Sequence, residues 1–243
     1  MHKNEVKPLN KYRKNGSFIR YAKEIPGERV QMDVCKITTG RYQYTAIEDC
    51  SRFRVLALYT RRTAKNSINF LERVVEQMTS GGVPLPIQRV QTDRGQEFFA
   101  YSFQEKLKEY CIKFRPIKPC SPHLNGKVER SQQTDLQEFY YEMDLTDKKL
   151  PLLVEEWQFH YNWYRPHSSL NNKTPMDVVV EKSALTPFWE DIEAKYDESK
   201  EKICIQSYKK EKNSLHLSNY TKAEVIPKNI LHEKCNFFSI SNL

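Results

Sequence analysis

Long apolar runs are missing from these 243 residues. The longest, Val55 to Tyr59, has five, so no segment can cross a bilayer as a helix. The N-terminus is basic but has no apolar stretch behind it, which argues against a secretory signal. Paired cysteines are missing too: Cys35, Cys50, Cys111, Cys120, Cys204 and Cys235 are scattered, with no Cys-x-x-Cys among them. That spacing argues against structural zinc and for reduced thiols in a cytoplasmic setting. Internal repeats are also absent.

What is present is an aromatic stock of 12 Phe, 14 Tyr and 3 Trp, enough to fill an ordinary core and to exclude global disorder. The formal net charge is +8. Residues 1–25 carry Lys3, Lys7, Lys11, Arg13, Lys14, Arg20 and Lys23 against Glu5 and Glu24, a net +5 in a stretch without apolar period. This reads as a basic leader ending at Pro26-Gly27, and a basic chain attracts polyanions, nucleic acid first among them.

Three strand-like runs follow. Arg29 to Ile37 alternates, with Val30, Met32 and Val34 on one face and Gln31, Asp33 and Cys35 on the other. Arg41 to Glu48 and Phe53 to Thr60 complete an antiparallel meander with short turns. Residues 63–79 switch to helical period, with Ile68, Leu71, Val75 and Met78 on one stripe. A fourth strand is expected over Ile87 to Thr92 and a fifth over Ile112 to Ile117. Between them lies a short helix for which Ser102-x-x-Glu105 offers a capping box. Further helices are expected from near Asn125, over 150–164, and from Thr174-Pro175 to Val180. The pattern is mixed α/β, a five-stranded mixed sheet flanked by helices. The boundaries read as a leader over 1–25, a core with a helical extension over 26–185, and a charged helix with a poorly ordered tail over 186–243.

Three acids stand where this topology would gather them. Asp33 lies inside the first strand, Asp93 ends the fourth, and Glu129 lies in the first turns of the next helix, with 35 residues between it and Asp93. Unpaired carboxylates in one place repel, and one would take up a proton unless divalent cations intervene. Few, hard oxygen ligands suit Mg²⁺ or Mn²⁺, and two such ions can clamp the attacking and leaving oxygens of a phosphodiester. Spacing alone selects nothing, since about one residue in eight of an ordinary chain is acidic. The surrounding words carry more: Gln91-Thr92-Asp93-Arg94-Gly95-x-Glu97-Phe98 and Ser121-Pro122-x-x-Asn125-Gly126-x-Val128-Glu129-Arg130.

With these words and the 35-residue gap, residues 26–185 resemble the catalytic core of DDE transposases and retroviral-type integrases, with a ribonuclease H-like fold. The later Tyr161-Asn162-x-x-Arg165-Pro166-His167 is similar to the region beyond the core in bacterial insertion-sequence transposases. The resemblance implies that Asp33, Asp93 and Glu129 are catalytic and hold two Mg²⁺ or Mn²⁺ ions. It implies cleavage at an element's end and attack of the resulting 3′-OH on target DNA. It also implies DNA, both element ends and target, as partner to a homo-oligomer. Lys127, Arg130 and His123 flank Glu129 and are candidate DNA contacts, as are Lys11, Arg13 and Lys14 of the leader. Gly95 and Gly126 are candidates for close backbone approach, and Glu97 for a place beside the acids. His160 and His167 read as packing residues.

Two positions depart from the pattern. Relatives commonly carry a basic residue four and seven positions after the catalytic Glu, where this chain has Gln133 and Leu136. Only 28 residues precede Arg29, where related transposases carry helix-turn-helix modules. A second reading is therefore a truncated, catalytically idle relic that binds DNA or inhibits a full-length partner. A third, a ribonuclease H-type nuclease, shares fold and metals but not the Asn-Gly-x-Val-Glu-Arg word.

Overall fold

A computed structural model describes residues 22–80, 85–119 and 121–205. Lys11, Arg13 and Lys14 of the leader, the tail beyond 205 and the side chain of His123 lie outside the described residues. The strands are β1 (Val30–Thr38), β2 (Arg41–Glu48), β3 (Arg54–Tyr59), β4 (Arg89–Thr92) and β5 (Lys113–Phe114). The helices are α1 (Ala64–Ser80), α2 (Tyr101–Glu109), α3 (Gly126–Thr134), α4 (Leu150–Trp163), α5 (Pro175–Glu181) and α6 (Trp189–Ala194). A one-turn 3₁₀ helix, Pro122–Asn125, leads into α3, and a π-helical turn, Asp135–Phe139, follows it.

The five strands form one sheet in the order β3-β2-β1-β4-β5. The meander pairs antiparallel as its short turns require, and β4 joins the other side of β1 in parallel, followed by β5. The parallel neighbours are reached through the helical crossovers α1 and α2. Alternation along β1 places Val30 and Met32 in the larger core, with Tyr44, Ala46 and Val55 from the neighbouring strands. Helix α1 covers that face with Phe70, Leu71, Val74, Val75 and Met78, and α2 adds Phe103 and Leu107. Each such side chain, fully removed from water, contributes about 1.5–3 kcal/mol.

The opposite face is polar. Gln31, Gln43, Thr45 and Arg54 are all buried there, and α3 packs over β1 and β2. Only at the β3 side does a small apolar cluster form, from Leu56, Phe139, Tyr140, Leu150 and Val154. Arg54 is the centre of the polar layer. Its Nη1 lies 2.7 Å from Asp135 Oδ1 and donates to Ser131 Oγ at 3.0 Å. Its guanidinium stacks on the Tyr161 ring, 3.4 Å from the centroid. Asp135 also accepts from Trp157 Nε1 at 2.7 Å and Gln43 Nε2 at 2.8 Å, so both its oxygens are used. Asn162 closes the layer by bonding the backbone N–H and C=O of Arg54. A buried charge is tolerated only when paired and hydrogen-bonded, and this layer meets the demand through Arg54 Nη1 and the Tyr161 ring, leaving Nε and Nη2 without a hydrogen-bond partner, while tying α3 and α4 to the sheet.

Several local expectations are corrected. Helix α2 starts at Tyr101 with Ala100 as its N-cap and no side-chain cap bond, so Ser102 lies inside the first turn and the Ser102–Glu105 box does not form. The fifth strand pairs as a ladder only over Lys113–Phe114. The Arg115 and Ile117 amides nevertheless donate to the carbonyls of Val90 and Thr92, which carries the edge onward. Thr174 caps α5 as expected, with Asp177 returning the bond in a complete capping box and Pro175 in the first turn. Tyr164, which caps the C-terminus of α4, is exposed. No described helix is long and apolar enough to cross a membrane, and Cys35, Cys50, Cys111 and Cys204 are free thiols.

Candidate active site

The parallel register of β1 and β4 pairs Val30 with Val90, Gln31 with Gln91 and Met32 with Thr92. There the pairing stops. Asp33 is the next residue of β1, and Asp93 the next after β4, so the two acids occupy the rung where the parallel ladder opens. β4 ends because Asp93 turns the chain: its Oδ1 accepts the Gly95 amide at 2.8 Å. β1 continues beside β2, where Asp33 faces Thr45. Asp33 Oδ1 accepts the Val34 amide at 2.8 Å.

The third acid arrives on α3. Gln31 anchors the start of that helix: its Oε1 accepts the Val128 amide at 3.3 Å and its Nε2 donates to the Leu124 carbonyl at 3.3 Å. Gln91 Nε2 donates to the same carbonyl at 2.7 Å. Gln31 and Gln91, two positions before Asp33 and Asp93 on their strands, thus hold the turn before Glu129. Ser131 and Asp135 fasten the far end of the helix to Arg54.

Asp33 senses the other two carboxylates. Burial, together with the charges of Asp93 and Glu129, pushes Asp33 up to about 7, although its bond to the Val34 amide and the nearby Gln132 amide pull it down. Gln132 Nε2 is itself buried without a hydrogen-bond partner. Asp33 and Asp93 are half-buried and Glu129 is exposed, whereas the buried acids nearby all have partners. Asp49 has Arg29 at 2.9 Å and Lys127 at 2.6 Å, Asp135 has Arg54, and Glu97 has Arg62 at 3.0 Å. Glu48 accepts from the Gly27, Cys50 and Ser51 amides. Among the described residues, neither Asp33, Asp93 nor Glu129 has a Lys, Arg or His at ion-pair distance.

That donor set fits a hard divalent cation in kind: carboxylate oxygens, uncompensated, one of them destabilised in its charged form. The spacing is more open than a loaded site. Among the described residues no group of three or more His, Cys, Asp or Glu side chains stands close enough to hold an ion.

Two family models described as Integrase core domain match the chain, one over residues 23–122 and the other over 110–175. Together they run from the first described residues to the start of α5 and include all three acids. The chain belongs to the integrase core domain family. "Putative integrase ORF3" of Spiroplasma virus SpV1-C74 is 25% identical over 151 residues, 57% of this chain and 41% of that protein. The chain therefore spans about two fifths of the length of that relative. Among solved structures, the HTLV-2 integrase catalytic core domain in complex with magnesium superposes with a TM-score of 0.51 at 19% identity, covering 64% of this chain and 97% of that one. The simian T-cell lymphotropic virus intasome in complex with PP2A regulatory subunit B56 gamma gives 0.54 at 17%, covering 65% and 56%. These likenesses identify the ribonuclease H-like fold.

Within this integrase core, the other expected site residues fare differently. Lys127 Nζ lies against the fully buried carboxylate and the carbonyl of Asp49, so its charge is spent inside the chain, and burial brings it down to about 8. Arg130 is exposed, within 3.2 Å of Gln133 Oε1. His123 lies on the 3₁₀ turn before α3, its side chain undescribed. Gln133 and Leu136 are both exposed. Gly95 earns its place: a Cβ there would lie 2.6 Å from Glu97 Oε1 and 2.9 Å from Asp93 Oδ1. Its missing side chain lets Glu97, buried and raised by desolvation, sit next to Asp93. Gly126 has open space around it. His167 is buried against Tyr161, and His160 is stacked on Trp157, as packing residues. Sequence reasoning missed the structural network of Arg54, Asp135, Asn162 and Trp157. It also missed the Arg61-Arg62 pair beside Glu97, whose only signal was a local run of basic residues.

Proposed function

We propose that residues 26–185 are the catalytic core of a DNA transposase or integrase that cleaves phosphodiesters and transfers strands with Mg²⁺ or Mn²⁺. Residues 1–25 then act as a basic linker whose Lys11, Arg13 and Lys14 follow DNA. The observation that carries this reading is the pair of half-buried carboxylates, Asp33 and Asp93, at the opening of the β1/β4 ladder without an ion-pair partner among the described residues, with Glu129 on α3 near enough to raise Asp33. Asp33, Asp93 and Glu129 would hold the cations, two per site. A bound cation supplies positive charge that neutralises the carboxylates and the phosphodiester.

The chain's own residues set the stage. Asp33 and Asp93 are fixed by adjacent strands and by the Val34 and Gly95 amides that donate to their carboxylates, and Glu129 by a helix clamped at both ends. Holding the reacting groups in a fixed geometry removes much of the entropic cost of bringing a DNA end and a target together. In strand transfer the donor 3′-oxygen forms a bond to a target phosphorus while the bond from that phosphorus to the target 3′-oxygen breaks; the attacking hydroxyl gives its proton to solvent and the departing 3′-oxygen takes one up, leaving a free target 3′-OH. The reaction needs two DNA ends in concert, so a homo-oligomer in the cytoplasm is the working form.

The test mixes the purified chain with pre-cut donor DNA, target DNA and Mg²⁺ or Mn²⁺. Joined product from the parent chain, and none from Asp93→Asn or Glu129→Gln, is the expected result. Equal product from parent and Glu129→Gln removes the assignment. A second reading, a DNA-binding chain without strand-transfer activity, is favoured by the open spacing of the acids and by exposed, uncharged Gln133 and Leu136. It predicts DNA binding with no calorimetric binding of Mn²⁺ even when DNA is present.

A further inference from the structure

We infer that Arg61, Arg62 and Lys65, on the turn from β3 into α1, form a contact for the DNA phosphate backbone at the edge of the carboxylate site, with Arg62 held in place by Glu97. This rests on the reading of the chain as a DNA strand-transfer core and names a surface for its substrate. Arg62 Nε lies 3.0 Å from Glu97 Oε2, yet its side chain remains 44% exposed. Glu97 is buried and shares the space above Gly95 with Asp93, so Arg62 stands one side chain away from a proposed catalytic acid.

Arg61, Thr63 and Lys65 are exposed beside it, and among the described residues neither Arg61 nor Lys65 is in an ion pair. The backbone that presents them is fixed. Asn66 Nδ2 donates to the Arg61 carbonyl at 2.6 Å, the Asn66 amide donates to Thr63 Oγ1 at 3.2 Å, and the Thr63 amide donates to Tyr44 Oη at 3.2 Å. No acid lies in the first turn of α1 to offset the charge. Several basic residues near the sheet are engaged elsewhere: Arg29 and Lys127 with Asp49, Arg54 with Asp135, Arg115 with Glu201. Three cations within five residues on a rigid turn suit a partner with regularly repeated negative charge, and the ridge is continuous with the site that would act on DNA. Glu97 has two effects. It aims Arg62 at the site, and its negative charge competes with phosphate for the same guanidinium.

The test is fluorescence anisotropy of labelled duplex DNA with the full chain, without divalent cation, across a NaCl series. Each phosphate contact contributes about 0.9 to the slope of log affinity against log salt. Arg61→Ala/Lys65→Ala, which breaks no ion pair among the described residues, is expected to lower the slope by about 1.8 and affinity at least tenfold. Adding Arg62→Ala should lower both further, and Glu97→Gln should bind severalfold tighter than the parent. A parent that binds DNA with affinity and slope unchanged in the double and triple variants overturns this inference alone. A Glu97→Gln chain that binds no tighter overturns the part given to Glu97. A parent that binds no DNA overturns the functional reading beneath it.

Discussion

Cutting the Arg54–Asp135 pair by Asp135→Ala would leave a fully buried guanidinium facing the emptied site, since both side chains have 0% exposure. At 2.7 Å the gross attraction is about 6 kcal/mol for an effective dielectric near 20, most of which offsets the desolvation of the two ions. Removing one partner forfeits that offset, and such losses run to about 3–5 kcal/mol. Trp157 Nε1 and Gln43 Nε2 would lose their acceptor as well, which places the expected value toward the upper end. With a urea m-value of about 2–3 kcal/mol/M, the unfolding midpoint should fall by roughly 1.5–2 M. Arg54→Met/Asp135→Leu should recover much of the loss, because both charges leave together. Equilibrium urea unfolding followed by circular dichroism measures all three chains. A fall below about 1 kcal/mol for Asp135→Ala would refute the claim that this pair anchors α3, the helix that carries Glu129.

Other consequences are open to measurement. Gly95→Ala must push apart Glu97 and Asp93, so strand transfer should fall at least tenfold while the melting temperature moves by only a few degrees; unchanged product yield would remove Gly95 from the site. Burial, with Arg165 and Arg54 nearby, brings His167 down to about 4 from 6.5, so it stays neutral in the fold while the unfolded chain takes up a proton. The depressed value means that its contribution is present above pH 6.5 and lost as pH falls toward 4. About 2 kcal/mol should therefore disappear between pH 7 and pH 5, and His167→Phe should flatten that part of the profile in urea titrations. Lys127→Ala should lower stability by about 1 kcal/mol, because the buried Asp49 carboxylate keeps Arg29 but loses one of its two cations, and leave the salt slope of DNA binding within error of the parent.

The strands of the meander were legible because period-two alternation and short turns leave few alternatives. So were the helices with a clean stripe. The acids were legible through the words around them, which specify a turn after Asp93 and a helix start before Glu129. Asp33 and Asp93 become neighbours only through the long-range choice of β4 to join β1 in parallel, which local pattern cannot state. The polar layer was illegible for a similar reason. Arg54, Gln43 and Asp135 each look like surface residues in isolation, and they are buried only because each supplies what the others lack. Lys127 was read as a phosphate contact from its place beside Glu129. Its actual partner, Asp49, lies 78 residues away on the β2–β3 turn, and no local spacing points to it. The Ser102–Glu105 box failed because Phe103 and Leu107 must face the sheet, which sets the helix start from burial rather than from capping.

The location of the site follows from the sheet itself. Parallel and antiparallel pairing meet at β1, and past Met32 only the antiparallel side continues. At that point backbone groups no longer closed by a neighbour must be satisfied by turns, and Asp93 does so with its own side chain. The opening admits a ligand without breaking the ladder on either side, because β2 still supports Asp33 and the Ile117 amide still reaches the Thr92 carbonyl. Open sheets bind ligands at such switch points for this reason. The helix that carries the third carboxylate, Glu129, is held to this part of the sheet by hydrogen bonds at both ends. Gln31 and Gln91 hold one end of α3, and Arg54 the other. Polar anchors are directional where apolar contacts slide, so they fix where Glu129 stands along the helix axis. If that is their purpose, Gln91→Leu, which keeps the volume but not the bond to Leu124, should lower strand transfer more than it lowers stability. The conservative Gln91→Glu, still without the donor, should not rescue it, and rescue by Glu would show that the residue serves packing alone.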